Sequence, residues 1–387
     1  MTPNRNRIRT VVHAADFSPP YGGNFVASLR ALAASGTAEG RRYVLAFPTS
    51  AGRTDWFAEL RADGFQTALL PEGGAVLETG RTLHRLCRDW DATLLHTHFS
   101  SYDVSAWIAQ RLLATRGSRL QVVWHAHSDF PMTRTLSRRT RNLVKYRLMG
   151  RTTFTVAVSE HVREKMIGLG CSPHRICTIH NGIDLERPLS AVRPRTEVLD
   201  AASIPRHAGL LLLFGWEPIV KGVDTALEAA AVVTQRSPAA VLGIVGTERL
   251  HKFVGKRFTV SHPHWLRLLP PVDRVADYYA AASLFLMASR NEGFPYAVCE
   301  AMAARLPVVL SDIPGVAWAH DTPGAVFFRP GDAQSLADAL GEVLEWTDAE
   351  RRRRGDLNRT LVESRFSVTA WVERIRLLYQ SILADKG

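Results

Sequence analysis

The chain has 387 residues, of which 46 % are hydrophobic and 22 % charged, the composition of a soluble globular protein of two or three domains at about 150 residues each. No apolar run approaches the ~18 residues of a membrane span, no secretory signal is expected from the N-terminus, and four scattered cysteines (Cys87, Cys171, Cys177, Cys299) fit neither a disulfide framework nor a CxxC metal site. Reduced thiols and a cytoplasmic location are expected. The net charge of +11 is uneven, +10 over residues 1–190 and +1 over the remainder. A basic half points to an anionic partner, or to solvated arginines without one.

In chain order, "RIRTVVHAA", "RRYVLAFP" (41–48), "TALLP" (67–71), "ATLLHTH" (92–98), "LQVVWHAH" (120–127) and "FTVAVS" (154–159) predict strands. Amphipathic stretches such as "NFVASLRALAAS" (24–35) and "SAWIAQRLLAT" (105–115) lie between them. Strands alternating with helices predict a parallel sheet covered on both faces. The segment "LERPLSAVRPRTEVLDAASIP" (185–205), with three prolines and no apolar period, reads as a linker with room for a short helix. Alternation then restarts. Strands are predicted over 209–215, 239–246, 265–270, 283–289, 306–312 and 324–330, and helices over 223–236, 274–282, 296–304 and 333–346. An amphipathic helix over 367–384 ends the chain. Two doubly wound domains are therefore expected, 1–190 with the C-terminal helix (367–387) and 191–366. Ligands of such sheets bind at the carboxyl ends of the strands, so the expected site is a cleft between the two domains.

The stretch "RNEGFPYAVCEAMAARLPVV" (290–309) carries the most chemistry. It comes after a predicted strand and opens a helix, with Pro295 suited to the first helical position. A helix start offers free N–H groups and a positive dipole end to a phosphate, and Gly293 permits close backbone approach. Two carboxylates, Glu292 and Glu300, flank it. Like charges do not both face a phosphate. A carboxylate accepts from both hydroxyls of a vicinal diol. A ligand with a diphosphate between two hydroxylated rings, a nucleotide sugar, satisfies both requirements. The alternative has Glu292 capping the helix and Glu300 solvated.

The "EGFPYAVCE" segment resembles the Glu–seven–Glu pattern of retaining GT-B glycosyltransferases. "EAMAARLPVVLSDIPG" resembles the next segment of glycosyltransferase family 4 (glycosyl transferases group 1). Over nearly the whole chain, "PPYGGNFVASLRALA" is similar to the family's N-terminal glycine loop. "VSEHVREKMIGLG" and "RICTIHNGIDLERP" are similar to the end of its first domain, and "KGVDTALEAA" to the start of its second. The resemblance implies the α/β GT-B fold, two Rossmann-like domains facing a central cleft. It implies a metal-independent hexosyltransferase that moves a sugar from a nucleotide sugar, UDP favoured and GDP the alternative, to a hydroxyl of a glycan, lipid-linked saccharide or small metabolite.

By that resemblance Glu300 holds the ribose hydroxyls and Glu292 the transferred sugar. Gly293, Phe294 and Pro295 run along sugar and diphosphate through their backbone, and Lys221 neutralises the leaving group. A flexible point charge beside a glycine suits that role on physical grounds too. Where the family has an arginine five residues before the lysine, this chain has Trp216. Arg305 stands where the family commonly has glycine, at a helix end.

In the first domain Gly22 and Gly23 are expected to admit diphosphate or acceptor, or to form a structural turn. Two H-x-H pairs, His96/His98 and His125/His127, each point both rings to one side of a strand and suggest zinc. No cysteine or carboxylate recurs at ligand spacing, so no metal or other cofactor is expected. The resemblance instead gives His127, with His125 as fallback, a hydrogen bond to the transferred sugar, and Asp129 an acceptor contact. "DWD" (89–91) matches an Asp-x-Asp metal motif of another glycosyltransferase fold but precedes a strand, as a polar turn does. The segment 133–151, with seven basic residues and interleaved Leu136, Leu143, Val144, Leu148 and Met149, fits either an anionic membrane surface or a packed helix with a solvated face.

No carboxylate stands out as a covalent nucleophile. The implied route is front-face attack with retention, the departing diphosphate oxygen taking the acceptor's proton, and catalysis by positioning and charge stabilisation. An epimerase or phosphorylase on the same fold is the alternative enzyme. A nucleic-acid-binding protein, prompted by the charge, lacks any recognisable motif, and no nucleic-acid partner is expected.

Overall fold

The computed structural model describes residues 9–36, 40–73, 75–115, 117, 119–127, 142, 144–272 and 274–384. Two compact units emerge, Met1–Gly182 with Val368–Gly387, and Ile183–Ser367.

Unit 1 holds seven parallel strands: β1 (Arg9–Ala15), β2 (Arg41–Pro48), β3 (Gln66–Leu70), β4 (Ala92–His98), β5 (Gln121–Ala126), β6 (Phe154–Ala157) and β7 (Ile176–Thr178). Their order is β3-β2-β1-β4-β5-β6-β7. The last, three residues long, gave no apolar run to read in the sequence. Val11, Leu45, Phe47, Leu94 and Val123 pack against the helix Gly23–Gly36 and against Trp371, Ile375 and Tyr379 of the C-terminal helix. That helix runs Val368–Ala384 and belongs to unit 1. At Gly182 a Cβ would press on Trp371 and Ser28, so a side chain there would push the C-terminal helix off its seat.

Unit 2 holds six parallel strands: β8 (Gly209–Phe214), β9 (Ala240–Val245), β10 (Leu266–Leu269), β11 (Leu284–Met287), β12 (Val308–Ser311) and β13 (Ala325–Phe328). Their order is β10-β9-β8-β11-β12-β13, the doubly wound order. The near-continuous apolar run "GLLLLF" of β8 is buried on both faces, as a central parallel strand must be. The helices Val223–Arg236 and Ala333–Glu345 cover one face through Ala226, Leu227, Ala230, Leu336 and Leu340.

The boundary lies eight residues before the expected 190/191. The Ile183 N–H donates to the Phe366 carbonyl at 2.7 Å, and Arg359 reaches the Leu185 carbonyl and the Glu186 carboxylate, so the start of the supposed linker is fastened to unit 2. Further along it, Arg195–Ala201 is helical with Val198 and Leu199 buried. The "DWD" stretch is a helix-to-strand turn. Asp89 ends the helix Val76–Asp89, and Asp91 adopts a left-handed conformation (φ 47°) before β4.

Candidate functional site

In each sheet the strand order reverses at one place, between β1 and β4 in unit 1 and between β8 and β11 in unit 2. Loops leaving the carboxyl ends of those strands carry most of the candidate site residues.

In unit 2, the chain leaves β8 through Lys221 and Gly222. Gly222 has φ 62°, and a Cβ there would overlap the Ala288 carbonyl at the end of β11. Only glycine lets these two loops meet. The Arg290 N–H then donates to the Val220 carbonyl at 2.8 Å. This clamp sets Lys221 Nζ 2.5 Å from Glu292 Oε1, the same oxygen that accepts from Ser289 Oγ at 2.8 Å. Gly315, after β12, braces the loop from the other side: a Cβ there would overlap the Glu292 carbonyl.

The helix after this loop is Tyr296–Ala303, with Pro295 as the flanking residue instead of the first helical one. Gly293, Phe294 and Pro295 are buried. The Phe294 ring packs on Trp318 and Phe366, 5.4 and 5.1 Å between centroids, so it anchors the loop and leaves only its backbone to a ligand. Glu300 is 7 % exposed. Its Oε2 accepts from the Tyr279 hydroxyl at 2.8 Å, and its Oε1 lies 3.4 Å from Arg187 Nη1. The solvated-helix alternative for Glu300 fails on that burial. Burial, and then the Glu300 charge, hold the Tyr279 hydroxyl well above its ordinary pKa, so it stays a donor. Arg187, Tyr279 and Ser289 were not read from the sequence. Arg187 sits in "DLERP", but nothing there ties it to Glu300, and Tyr279 carries no spacing signal; Ser289 stands three residues before Glu292, a local spacing that could have suggested the contact.

Trp216 is 39 % exposed and sits 5.7 Å from the Phe214 ring. Nearby cations are occupied. Arg290 makes two 2.8 Å bonds to Asp224, and Arg249 pairs with Glu217. Arg305 has φ 64° at the end of the helix Tyr296–Ala303, the conformation that favours glycine.

In unit 1, Gly23 (φ 59°) opens the helix Gly23–Gly36, and Gly22 packs closely on Val26 and Trp56. After β4, Phe99 and Ser100 both take positive φ (66° and 61°), a strained loop at the switch point. The Phe99 ring stacks on His127 at 4.4 Å.

The two H-x-H pairs lie side by side because β4 and β5 pair in register, His98 opposite His125. A fifth histidine, His13 on β1, lies opposite His96. Read alone, His13 was an ordinary strand residue; only strand order brings it in. Ring nitrogens of His13, His96 and His98, and of His98, His125 and His127, lie within 4.8 Å of one another. Burial lowers all five pKa values, those of His13 and His127 to about 3, so the rings are neutral. Asp129 and residues 133–141 and 143 of the basic segment lie outside the described residues. Within the remainder of that segment, Lys145 turns inward to Asp103 at 2.7 Å, while Val144 and Leu148 are exposed. Among the described residues no helix is long and apolar enough to cross a membrane.

A family model described as Glycosyltransferase Family 4 matches residues 26–187, and one described as Glycosyl transferases group 1 matches 209–345. A Bacillus subtilis protein named for teichuronic acid biosynthesis is 28 % identical over 258 residues, covering 65 % of this chain and 61 % of its own. A D-inositol 3-phosphate glycosyltransferase of Catenulispora acidiphila is 30 % identical over 194 residues, covering 46 % and 44 %. The chain thus spans 61 % and 44 % of the length of these curated relatives. Among solved structures, a glycosyltransferase of Rickettsia africae superposes with TM-score 0.79 (14 % identity, 97 % of this chain and 99 % of that one). Anabaena HepE in complex with UDP and glucose superposes with TM-score 0.77 (16 % identity, 96 % and 99 %). At such identities the likeness is one of fold.

Proposed function

From a chain that belongs to the group 1 glycosyltransferases of family 4 and has the GT-B fold, we propose a retaining transferase that moves a hexose from a UDP-sugar to a hydroxyl acceptor. The observation that carries this reading is the pair of carboxylates around one helix start at the switch point of unit 2. Glu300 is buried and fixed by Tyr279, and Glu292 is fixed by Lys221 and Ser289. Glu300 receives the ribose hydroxyls. Glu292 receives hydroxyls of the transferred sugar, with Gly293, Phe294 and Pro295 lining sugar and diphosphate through their backbone. Lys221 and the N–H groups at the start of Tyr296–Ala303 stabilise the charge that grows on the leaving diphosphate.

In unit 1, His127 holds a hydroxyl of the transferred sugar, with His125 behind it, and Gly22 and Gly23 leave room for diphosphate or acceptor. Asp129 is assigned to the acceptor. The departing diphosphate oxygen takes the acceptor's proton as the new glycosidic bond forms on the same face, so no step is routed through a metal. UDP is favoured because HepE, a neighbour in fold, was crystallised with UDP and UDP-glucose. The acceptor is a glycan, a lipid-linked saccharide or a small metabolite, reached at a membrane surface if the basic segment 133–151 rests there.

The test is a thermal-shift panel of UDP, GDP and their hexose conjugates on wild type and Glu300→Gln. Wild type is expected to be stabilised by uridine nucleotides, and Glu300→Gln to lose about 2 kcal/mol of that binding, some thirtyfold in Kd. Equal shifts in the two proteins would remove the ribose assignment. No shift with any nucleotide sugar would remove the function.

A further inference from the structure

The turn after β4 costs free energy to hold, and its surroundings show what holds it. Phe99 and Ser100 are consecutive non-glycine residues in the left-handed region, an arrangement that persists only where neighbours over-determine it. The Ser101 N–H donates to the Phe99 carbonyl at 2.8 Å, closing a three-residue turn whose positive-φ form is rare and strained. The Ser100 carbonyl lies 3.4 Å from Lys145 Nζ and 3.4 Å from the Asp103 nitrogen. Lys145 Nζ also donates to Asp103 Oδ2 at 2.7 Å. Asp103 opens the helix Asp103–Ala114 and is tied to both strands beside it. Its Oδ1 accepts from Thr97 Oγ1 of β4 at 2.5 Å, and its carbonyl accepts from Trp124 Nε1 of β5 at 3.2 Å. The Lys145 ammonium sits 5.3 Å from the Trp124 ring and 5.0 Å from the Tyr146 ring. Burial opposes its charge, but Asp103 outweighs burial and holds the Lys145 pKa above its ordinary value, so the ammonium stays charged.

A buried ion pair is often no more stable than apolar groups of the same volume, so stability alone accounts poorly for this one. The other end of the turn supplies a second account. The Phe99 ring stacks on His127 with 4.4 Å between centroids and 27° between planes. His125 stacks on the same imidazole at 4.1 Å, and Phe25 meets it edge-on at 5.4 Å. Phe25 and Phe17 contact the Phe99 ring in turn, at 4.8 and 5.7 Å. The plane of the imidazole is therefore set by aromatic contacts, and Phe99 is the contact carried by the strained turn. With the Ser100 carbonyl pinned, the neighbouring Phe99 has little backbone freedom left.

We propose that Lys145, Asp103 and Phe99 are positioning residues for His127: the buried pair fixes the left-handed turn Phe99–Ser100, and the turn presses the Phe99 ring onto the imidazole. Lys145 thus acts on His127 without touching it. That the imidazole so placed meets the transferred sugar rests on the proposed transferase function; the coupling from Lys145 to His127 does not.

The experiment reads the carbon-bound ring protons of His127 in the full chain labelled with 13C-histidine, without ligand, near pH 7, assigned with His127→Gln. Phe99→Leu removes a stacked ring that shields them and is expected to move them downfield; its displacement sets the scale. Lys145→Met is expected to reproduce most of that displacement. Asp103→Asn keeps the shape of the side chain, serves where Lys145→Met does not fold, and is expected to move the protons the same way. A pair that only stabilises the fold lowers the urea midpoint and leaves the shifts of the folded state alone; that result would overturn the coupling. Unmoved protons in Phe99→Leu would overturn the ring contact itself. On the proposed function, Phe99→Leu is expected to weaken UDP-glucose about fivefold in calorimetry and leave UDP unchanged, because His127 meets the sugar and not the nucleotide. Equal weakening of both, or of neither, would remove Phe99 from the positioning of His127 toward a sugar. No binding of either nucleotide by wild type would sink the functional reading alone, and the ligand-free shifts still decide the coupling.

Discussion

The neutral histidines make unit 1 sensitive to acid above the carboxylate range. His13 and His127 have folded pKa values of about 3 because burial disfavours their charged form. The unfolded chain titrates them near 6.5. Between those values the unfolded state binds more protons, so stability is full above about pH 6.5 and falls as pH drops toward 3. At pH 5 each ring costs about 2 kcal/mol, and the two together about 4 kcal/mol. His96, His98 and His125 act in the same direction. Hydrogen exchange read by mass spectrometry on β4 and β5 isolates unit 1. Corrected for intrinsic exchange, the protection of their slowest amides should fall by about three decades between pH 7 and pH 5. A fall of less than about tenfold would mean that the rings bind protons in the folded state, and the burial argument would be wrong.

On the proposed function Lys221 serves the diphosphate, so Lys221→Met should weaken UDP at least about tenfold by calorimetry while leaving uridine binding unchanged. Lys145→Met leaves Asp103 buried without its cation and should cost about 3–5 kcal/mol in urea unfolding, with Lys145→Met/Asp103→Leu recovering part of it. Arg305→Gly relieves a left-handed non-glycine residue and gives up only an exposed pair with Asp356, so stability should rise by about 0.5–1 kcal/mol in urea unfolding; a drop would show that the ion pair outweighs backbone strain.

Most strands were legible because a parallel sheet buried on both faces needs apolar runs, and "GLLLLF" or "SLFLMAS" admits little else. β7 was not, since three residues of "ICT" carry no period. The domain boundary fell eight residues earlier than expected because prolines in 185–205 mimic a linker, whereas the Arg359 side chain, donating to Leu185 and Glu186, and the Phe366 carbonyl, accepting from Ile183, hold its start. The placement of Glu292 just before a helix and of Glu300 within that helix was legible from the sequence. The partners of Glu300, Tyr279 and Arg187, were not, because contacts across 21 and 113 residues leave no spacing to read, whereas Ser289, three residues before Glu292, stood close enough in the chain to be read and was missed. His13 shows the same limit: an isolated histidine joins the two H-x-H pairs only when β1 is known to lie beside β4.

Trp216 is where the chemistry of unit 2 is thinnest. Lys221 is paired with Glu292, so the two together present little net charge to a diphosphate, and Arg290 and Arg249 are committed to Asp224 and Glu217. What remains is the N–H groups at the start of Tyr296–Ala303, worth about 0.3–1 kcal/mol per charge at an exposed helix end. A cation at 216 would add more. At about 6 Å and an effective dielectric of 20, one charge pair is worth about 3 kcal/mol before desolvation, and screening at this half-exposed position reduces that to about 1 kcal/mol. Loss of the Trp216–Phe214 contact works against it, but Phe214 keeps its contacts with Tyr279 and Phe285. Trp216→Arg should therefore tighten UDP by about fivefold in calorimetry, leave uridine unchanged, and steepen the salt dependence of UDP binding. Equal effects on UDP and uridine would place the side chain at the base or ribose, and the absence of a cation at 216 would then not weaken the diphosphate seat.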